Sequence, residues 1–310
     1  MANLLKLACV ERAPFADGHR FGATGAYERL SGRVDFLVDP ASQPQAGIVD
    51  IDRAPRDQRG LVAFTSDFML LKPVDLSAGN RRLLFDWANR GNKRCLQFFN
   101  DAGHSNVPTS LAHAGNGFLM RRGYTIVWLA WQGDLIAGDG RQILEVPVAR
   151  EAGGGIEGRV RVEFIADAPG VRAFPLSGRA STRPYPAVSL DTRRATLSRR
   201  RYPDAERETL RPTDFQFARL ETGGGLDNQG SELAIVPSAS HIYLPGGFET
   251  GWIYELIYEA QDPRVLGLGH VAVRDFISFL KHDRSDAGGT ANPVREGTVG
   301  IEKEIGRAHV

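Results

Sequence analysis

The chain has 310 residues, of which 42% are hydrophobic and 24% charged, a composition typical of a folded globular protein and not of a disordered or fibrous one. Its 38 Lys and Arg residues nearly balance 37 Asp and Glu residues, so no global field favours nucleic acid or an anionic membrane as a partner. The apolar stretch Leu4 to Val10 is interrupted by Lys6 and no membrane-length apolar run follows, so we expect a cytoplasmic protein without a signal peptide or membrane span.

Short strands separated by turns are predicted in the first third of the chain. Apolar and polar residues alternate over much of the segment 60–71, which is typical of a half-buried strand. Arg33 to Val38 and Arg82 to Ala88 have similar patterns. The run Tyr124 to Ala130 is almost continuously apolar, which favours a strand covered on both faces in a mostly parallel sheet.

The middle of the chain, from about Gln142 to Leu244, has many short strand patterns separated by Gly, Pro and Ser, and no convincing helix. Charged and apolar residues alternate from Arg159 to Phe164, as in an antiparallel sheet with one face in water. Asp191 to Arg211 is rich in arginine, but its acidic residues favour a solvated mixed-charge face over a nucleic-acid site. Thr222 to Ser231 has the composition of a loop.

A strand and a helix are predicted after this β-rich region. Trp252 to Ala260 has a strand pattern. Val265 to His282 carries apolar residues at helical spacing around most of its circumference, which indicates a helix packed against a sheet. Together these elements predict an α/β core interrupted by a β-rich insertion.

Dinucleotide binding is one alternative function, because Gly267 to Ala272 matches GxGxxA at the start of the predicted helix. That function requires the glycines directly after a strand and an acidic residue at the end of the next strand. Residues 261–266 separate the strand pattern from Gly267, and 286–292 has the composition of a loop. Close packing of the helix against the sheet therefore explains these glycines better, and we predict no cofactor.

The residues alone indicate neither a metal site nor a catalytic nucleophile. Cys9 and Cys95 cannot form a disulfide framework and lack zinc-site spacing. The seven histidines are scattered, without HxH or HExxH. No GxSxG motif occurs, so no serine is predicted on the strained strand-to-helix turn that hydrolases use. We therefore predict no metal.

Several long sequence segments carry a family resemblance, and they occur in order along the chain from about Cys9 to Lys303: ADGHRFGATGAYERLSGRVDFLVDP, FDWANRGNK, GNGFLMRRGYTIVWLAWQGD, STRPYPAVSLD and GFETGWIYELIYEAQDPRVLGLGHVAVRDFISFL. They resemble a family of bacterial proteins described as alpha/beta hydrolase domain-containing. The resemblance implies an α/β fold class, a partial α/β-hydrolase sheet with a large antiparallel β-rich insertion. It implies core strands in 1–141, the insertion in 142–247, and a strand and sheet-packing helix in 248–303. Arg82 to Ala88 and Tyr124 to Ala130 would be neighbouring strands.

The resemblance also implies that the chain is an N-terminal fragment. In family members a segment similar to GIEKAYGWGRSQSG carries the nucleophile serine, and here Gly300 to Lys303 begins that segment and then departs from it. Glu304 to Val310 back-translates to a common sequencing adapter with an in-frame stop, so we interpret 304–310 as an assembly artefact. Because such hydrolases place serine, acid and histidine in that chain order, all three are expected beyond Lys303.

The resemblance implies that this chain contains the part of the active site that contributes to the oxyanion hole. Backbone N–H groups after an early strand normally complete the oxyanion hole, and the candidates are Asn89, Arg90, Gly91 and Asn92. A second group follows Tyr124 to Ala130 and would line the acyl pocket: Trp131, Gln132 and Gly133. A tight Gly-containing turn at a strand end is the simpler explanation for both groups.

The function implied is that of a serine hydrolase. The intact parent would cleave a small-molecule carboxylic ester through an acyl-enzyme, without a cofactor, and this fragment would be inactive. The competing hypothesis is that 142–244 is a ligand- or partner-binding module in a chain that acts without catalysis. Aromatic residues clustered on one exposed face of its sheet would favour that hypothesis.

Overall fold

The chain divides into two units in a computed structural model, which describes residues 3–222 and 233–308. The first unit comprises 1–148 and 264–310, and the second comprises 149–263. The two crossing points are adjacent in space, because the N–H of Val265 donates to Pro147 O at 3.0 Å and Val148 forms an antiparallel bridge with Arg264. The second unit is therefore an insertion whose two ends lie side by side.

The first unit begins with six described strands and three short helices. They are β1 (Leu4–Pro14), β2 (Tyr27–Val38), β3 (Val62–Pro73), β4 (Arg82–Trp87), α1 (Cys95–Asn100), α2 (Leu111–Ala114), α3 (Phe118–Arg121), β5 (Thr125–Leu129) and β6 (Leu144–Glu145). The strands predicted over 33–38, 60–71, 82–88 and 124–130 are confirmed. All five side chains of β5 are buried, as its continuous apolar run predicts.

The described part of the second unit is built from strands and short turns. Its strands are β7 (Arg150–Glu151), β8 (Gly154–Gly155), β9 (Glu157–Ile165), β10 (Ala173–Pro175), β11 (Thr196–Arg200), β12 (Glu208–Thr209), β13 (Ala218–Thr222), β14 (Leu233–Pro237), β15 (His241–Tyr243) and β16 (Ile253–Gln261). The loop predicted over 222–231 lies almost entirely outside the described residues.

The chain then returns to the first unit with α4 (Leu268–His282) and β17 (Lys303–Ala308). The predicted helix is confirmed and begins three residues later than Val265. Of the tail 304–310, residues 304–308 belong to β17, which pairs in parallel with β4, and the last two residues lie outside the described part of the chain.

The sheet of the first unit combines antiparallel and parallel strands in the order β1-β2-β3-β5-β4-β17, with β6 on β3. The neighbouring pairs β1–β2, β2–β3 and β3–β5 are antiparallel. The pairs β5–β4 and β4–β17 are parallel. The neighbouring position of β4 and β5 is as the family resemblance implies. Parallel pairs need a crossover, and here the chain from β4 to β5 contains α1, α2 and α3.

The predicted α/β fold class, a partial α/β-hydrolase sheet with an antiparallel insertion, is wrong. Strands account for 38% of the chain and helices for 17%, in several sheets with mixed and antiparallel pairing, which is not a helix-rich α/β-hydrolase arrangement. The physical reason lies in the crossover, since α1, α2 and α3 have only six, four and four residues. Of the described helices only α4, with 15 residues, is long enough to cover much of a sheet.

The largest sheet of the second unit is antiparallel, in the order β12-β11-β16-β9. Along β9, Phe164 is buried and Val160 and Val162 pack on the core cluster, while Arg161 and Glu163 alternate with them. This confirms the predicted antiparallel sheet with one polar face. The strand predicted over 252–260 forms as β16 and belongs to this sheet.

Six of the seven arginines of 191–211 are paired with carboxylates within the second unit, and the seventh, Arg201, lies over the ring of Trp252. Their bonds are Arg193 to Asp191 at 2.7 Å, Arg199 to Glu208 at 3.0 Å, Arg200 to Glu163 at 2.6 Å, Arg207 to Glu255 at 3.1 Å, Arg211 to Asp214 at 2.8 Å, and a bond from Arg194 to Glu259. This is the mixed-charge face that the sequence indicates.

Candidate functional site

The segment directly after β4 is a tight turn. Asn92 N–H donates to Asn89 O at 3.1 Å, and both central residues have positive φ, 51° at Arg90 and 74° at Gly91. This is the pattern of a type I′ turn. A Cβ on Gly91 would lie 2.9 Å from Gln142 O, so the position requires glycine for its conformation and for its close contact.

Arg90 adopts a backbone conformation that residues other than glycine rarely have, so neighbouring groups must hold it. Its N–H donates to Gln132 Oε1 at 2.6 Å. The indole N–H of Trp131 donates to Ala88 O at 2.8 Å. The segments after β4 and β5, which the sequence singles out separately, are therefore joined by two hydrogen bonds at one edge of the sheet.

A buried amide supports the turn from the following loop. Asn106 Nδ2 donates to Asn92 Oδ1 at 2.9 Å and to Asp139 O at 2.8 Å. Its Oδ1 accepts from the N–H of Lys93 at 3.0 Å. Asn106 thus connects the turn, the start of the next segment and a second loop, although no sequence pattern indicates this role.

Lys93 is a buried cation next to the turn. It is 4% exposed, and its Nζ donates to Asn106 O at 2.7 Å and to Gly140 O at 3.5 Å. Burial removes water from the ammonium and lowers the pKa of Lys93 to about 8, an effect that the charges of Asp67 and Asp86 partly oppose. These bonds tie the turn to two other loops.

Asp86 anchors the other end of the same segment. One of its carboxylate oxygens accepts from Arg94 N–H, Cys95 N–H and the indole of Trp128 at 2.9 to 3.0 Å. The other oxygen lies 3.0 Å from Arg307 NH1. Because charge-assisted bonds to a buried carboxylate are strong, the segment from β4 to α1 has a fixed course.

Cys95 is not an activated nucleophile. It is fully buried, and burial, with the nearby charge of Asp86, raises the pKa of its thiol well above the ordinary value. The thiolate is the reactive form of cysteine. The structure therefore gives Cys95 a packing role.

Three aromatic rings lie at the same edge. The ring centroids of Trp87 and Trp131 are 5.4 Å apart with an interplanar angle of 81°, and the His270 ring lies 6.2 and 5.9 Å from them. Sequence reasoning singled out only Trp131. Trp87 is the last residue but one of the strand predicted over Arg82 to Ala88, and His270 lies within the GxGxxA match at the start of the predicted helix, but neither pattern indicates a site.

The glycines at the start of α4 have a packing explanation. A Cβ on Gly269 would lie 1.7 Å from Trp131 O, and one on Gly267 would lie 3.1 Å from Ile48 Cγ2. The first turn of α4 therefore lies directly on the chain that leaves β5. Close contact of this kind accounts for the GxGxxA match without a bound phosphate.

Arg90 cannot use its N–H for a substrate, because Gln132 already accepts it. Within residues 3–222 and 233–308, no acceptor is bonded to the N–H groups of Gly91 and Trp131. Such groups at the carboxyl ends of parallel strands can donate to a developing oxyanion.

Two Ser–His contacts occur in the described ranges, and both belong to turns. Ser110 Oγ lies 3.1 Å from His113 Nδ1, but that nitrogen also accepts from Thr109 N–H and Ser110 N–H, which is a helix cap. Ser238 Oγ lies 3.2 Å from His241 Nδ1 and accepts from Ser240 N–H. Neither pair has the arrangement of a nucleophile with its base.

The aromatic residues of the second unit are mostly buried. Those in its core cluster include Phe164, Phe215, Phe217, Phe248, Tyr254 and Tyr258. A cavity of about 640 Å³ in this unit is lined by charged side chains that already pair with one another, Arg199 with Glu249 and Arg211 with Asp214. The exposed aromatic face that would favour a binding module is absent from the part of this unit that the structure describes.

No group of three or more acidic, histidine or cysteine side chains arranged to hold a metal ion occurs among the described residues. In the same ranges no helix has the length and apolar character needed to span a membrane.

Comparison with models of protein families gave no match, and neither did comparison with curated proteins or with solved structures.

Proposed function

We propose that the chain supplies the substrate-binding edge of a serine hydrolase that cleaves carboxylic esters, and that the chain lacks the catalytic triad. The sequence resemblance from about Cys9 to Lys303 suggests this activity. In the proposed reaction a serine attacks the ester carbonyl, the alcohol leaves, and water hydrolyses the acyl-enzyme.

The observation that carries the proposal is the connection between two strand ends. The segments 89–92 and 131–133 follow parallel neighbours, and the bonds from Arg90 to Gln132 and from Trp131 to Ala88 hold them together. In sheets with parallel strands, ligands bind outside the carboxyl ends. In this proposal the ester carbonyl of the substrate lies beside the fixed turn.

In this proposal the N–H of Gly91 donates to the oxyanion, and Trp131 to Gly133 contact the acyl group. Gly133 lies against apolar side chains, since a Cβ there would approach Val146 Cγ2 to 2.6 Å and Leu266 Cδ2 to 3.2 Å. Gln132 has a positioning role because it holds Arg90 in its unusual conformation. Lys93 and Asn106 fix the same turn from the next loop.

The test is turnover of 4-nitrophenyl acetate by three purified proteins. They are residues 1–310, the product of a gene extended beyond Lys303 through the nucleophile serine, the acid and the histidine, and the same extended protein with that serine replaced by alanine. We expect turnover only from the extended protein with its serine. Activity of 1–310 that persists through purification, or an inactive extended protein that is folded, contradicts the proposal.

A further inference from the structure

The aromatic corner formed by Trp87, Trp131 and His270 has a geometry that the proposed ester hydrolysis does not itself require. The two indoles meet nearly at a right angle, with an interplanar angle of 81°. The His270 ring is tilted by 49° and 42° to them. Both indoles are partly buried and His270 is exposed, so the corner lies at the surface.

The two indoles are held in place more firmly than the imidazole. The indole N–H of Trp131 donates a hydrogen bond to Ala88 O, which fixes that ring. Trp87 packs edge-to-face on Phe85, with the two ring centroids 5.2 Å apart. The described part of the chain gives the His270 ring contacts with the two indoles but no hydrogen bond. An exposed side chain on the first turn of α4 can change rotamer, which leaves the two indoles as a preformed surface.

The occupant of the corner in this structure is itself a flat ring. Aromatic rings attract one another in offset-stacked or edge-to-face arrangements with centroids 4.5–7 Å apart. Two perpendicular indoles offer a face and an edge to the same planar guest. A saturated ring of the same size is apolar but cannot make these contacts.

We propose that this corner binds the flat aromatic acyl group of the ester substrate, with the ring displacing the imidazole of His270; this inference rests on the proposed function. The substrate class is then esters of aromatic carboxylic acids. The corner lies beside Trp131 N–H and the segment 131–133, so a ring bound there leaves its carbonyl at the strand ends.

The first test measures binding to the 1–310 chain and needs no turnover. Methyl 4-fluorobenzoate is followed by ¹⁹F NMR and displaced by methyl benzoate or by methyl cyclohexanecarboxylate, a ring of similar size that is not flat. We expect methyl benzoate to displace the probe at about two- to tenfold lower concentration. Equal or stronger displacement by the saturated ester, or no binding of the probe, overturns the proposal.

Variants assign the binding to the corner. Trp131→Leu and Trp87→Leu should each weaken probe binding by at least about threefold. His270→Ala removes the competing ring and should strengthen it. Tyr202→Leu is the control, because Tyr202 is an exposed aromatic residue of the second unit and should change nothing.

Circular-dichroism melts establish that each variant is folded. If a tryptophan variant does not fold, the exposed His270→Ala variant decides, since unchanged or weaker binding there overturns displacement. Binding of the aromatic ester with no turnover by the extended protein contradicts only the proposed hydrolase. Turnover without aromatic preference contradicts only this inference.

Discussion

The buried ammonium of Lys93 holds the turn after β4 in place through hydrogen bonds to neighbouring loops. Lys93 donates to carbonyl oxygens of two loops, Asn106 O and Gly140 O, and the described residues place no carboxylate in direct contact with it. Without such a partner the loss of hydration dominates, and the pKa of Lys93 falls from 10.5 to about 8. Folding thus destabilises the charged form of Lys93. The ammonium nevertheless donates the hydrogen bonds to Asn106 O and Gly140 O that hold the turn.

This shift predicts a stability that increases in alkaline solution. Between pH 8 and 10.5 the unfolded chain binds more protons at Lys93 than the folded chain, so the free energy of unfolding rises with pH. Relative to Lys93→Met, which cannot titrate there, the native protein should gain about 2 kcal/mol between pH 7.5 and 10.

Urea unfolding of both proteins at several pH values measures this difference, because titration of all other groups cancels in the comparison. Below pH 7.5 the difference should be constant. A difference that stays constant up to pH 10, or that falls, contradicts the lowered pKa.

At the scale of the element, the first turn of α4 is defined by one contact. Gly269 lies against the carbonyl of Trp131 so closely that an ideal Cβ would be 1.7 Å from the oxygen. The neighbour is backbone at the end of a buried strand, and it cannot move aside as a flexible side chain can. The position of α4, and with it His270, therefore depends on the absence of a side chain at 269.

Gly269→Ala tests this contact by the sign of its effect. Helix propensity alone predicts that alanine stabilises a helical position by up to about 1 kcal/mol, whereas the clash predicts destabilisation by about 3 kcal/mol or more. Thermal and urea unfolding distinguish the two. Gly267→Ala is the matched control, since its Cβ would be crowded only by the side chain of Ile48, with Ile48 Cα at an ordinary contact distance of 3.7 Å, and it should change stability by less than about 1 kcal/mol. A stabilised Gly269→Ala protein would show that α4 does not lie against Trp131.

Elements with strong periodicity could be predicted from the sequence, and their partners could not. The alternation in β9 and the apolar run of β5 specify strands because each side chain's environment is set locally. The sequence pattern of β16 does not indicate that this strand pairs with β9 and β11. The site shows the same limit: the turn 89–92 follows a predictable strand, whereas Trp87, Trp131 and His270 are brought together by contacts between distant parts of the chain.

At the scale of the whole molecule, the fold class was predicted incorrectly because it depends on what covers the sheet. The patterns of β4, β5 and α4 are those of an α/β protein, and β4 and β5 are parallel neighbours. The chain between β4 and β5 forms only one- to two-turn helices, and β1, β2 and β3 pair antiparallel. Strand patterns do not reveal the length of helix in a crossover when its residues lack a clear period.

The division into two units predicts that one of them can be removed. Because Val148 and Arg264 are bridged antiparallel, their Cα atoms lie about 5 Å apart, and a two-residue linker can join them. Replacing 149–263 by Asn-Gly should therefore leave a first unit that unfolds cooperatively on heating, with its sheet and core unchanged.

The comparison is a deletion of 142–247, the insertion predicted from sequence. It removes Gln142 and β6 from the first sheet and leaves β16 without β9 and β11, so its apolar residues Tyr254 and Leu256 lose their cover. That protein should aggregate or melt without a cooperative transition. Cooperative melting of the 142–247 deletion alone would contradict the boundaries given by the structure.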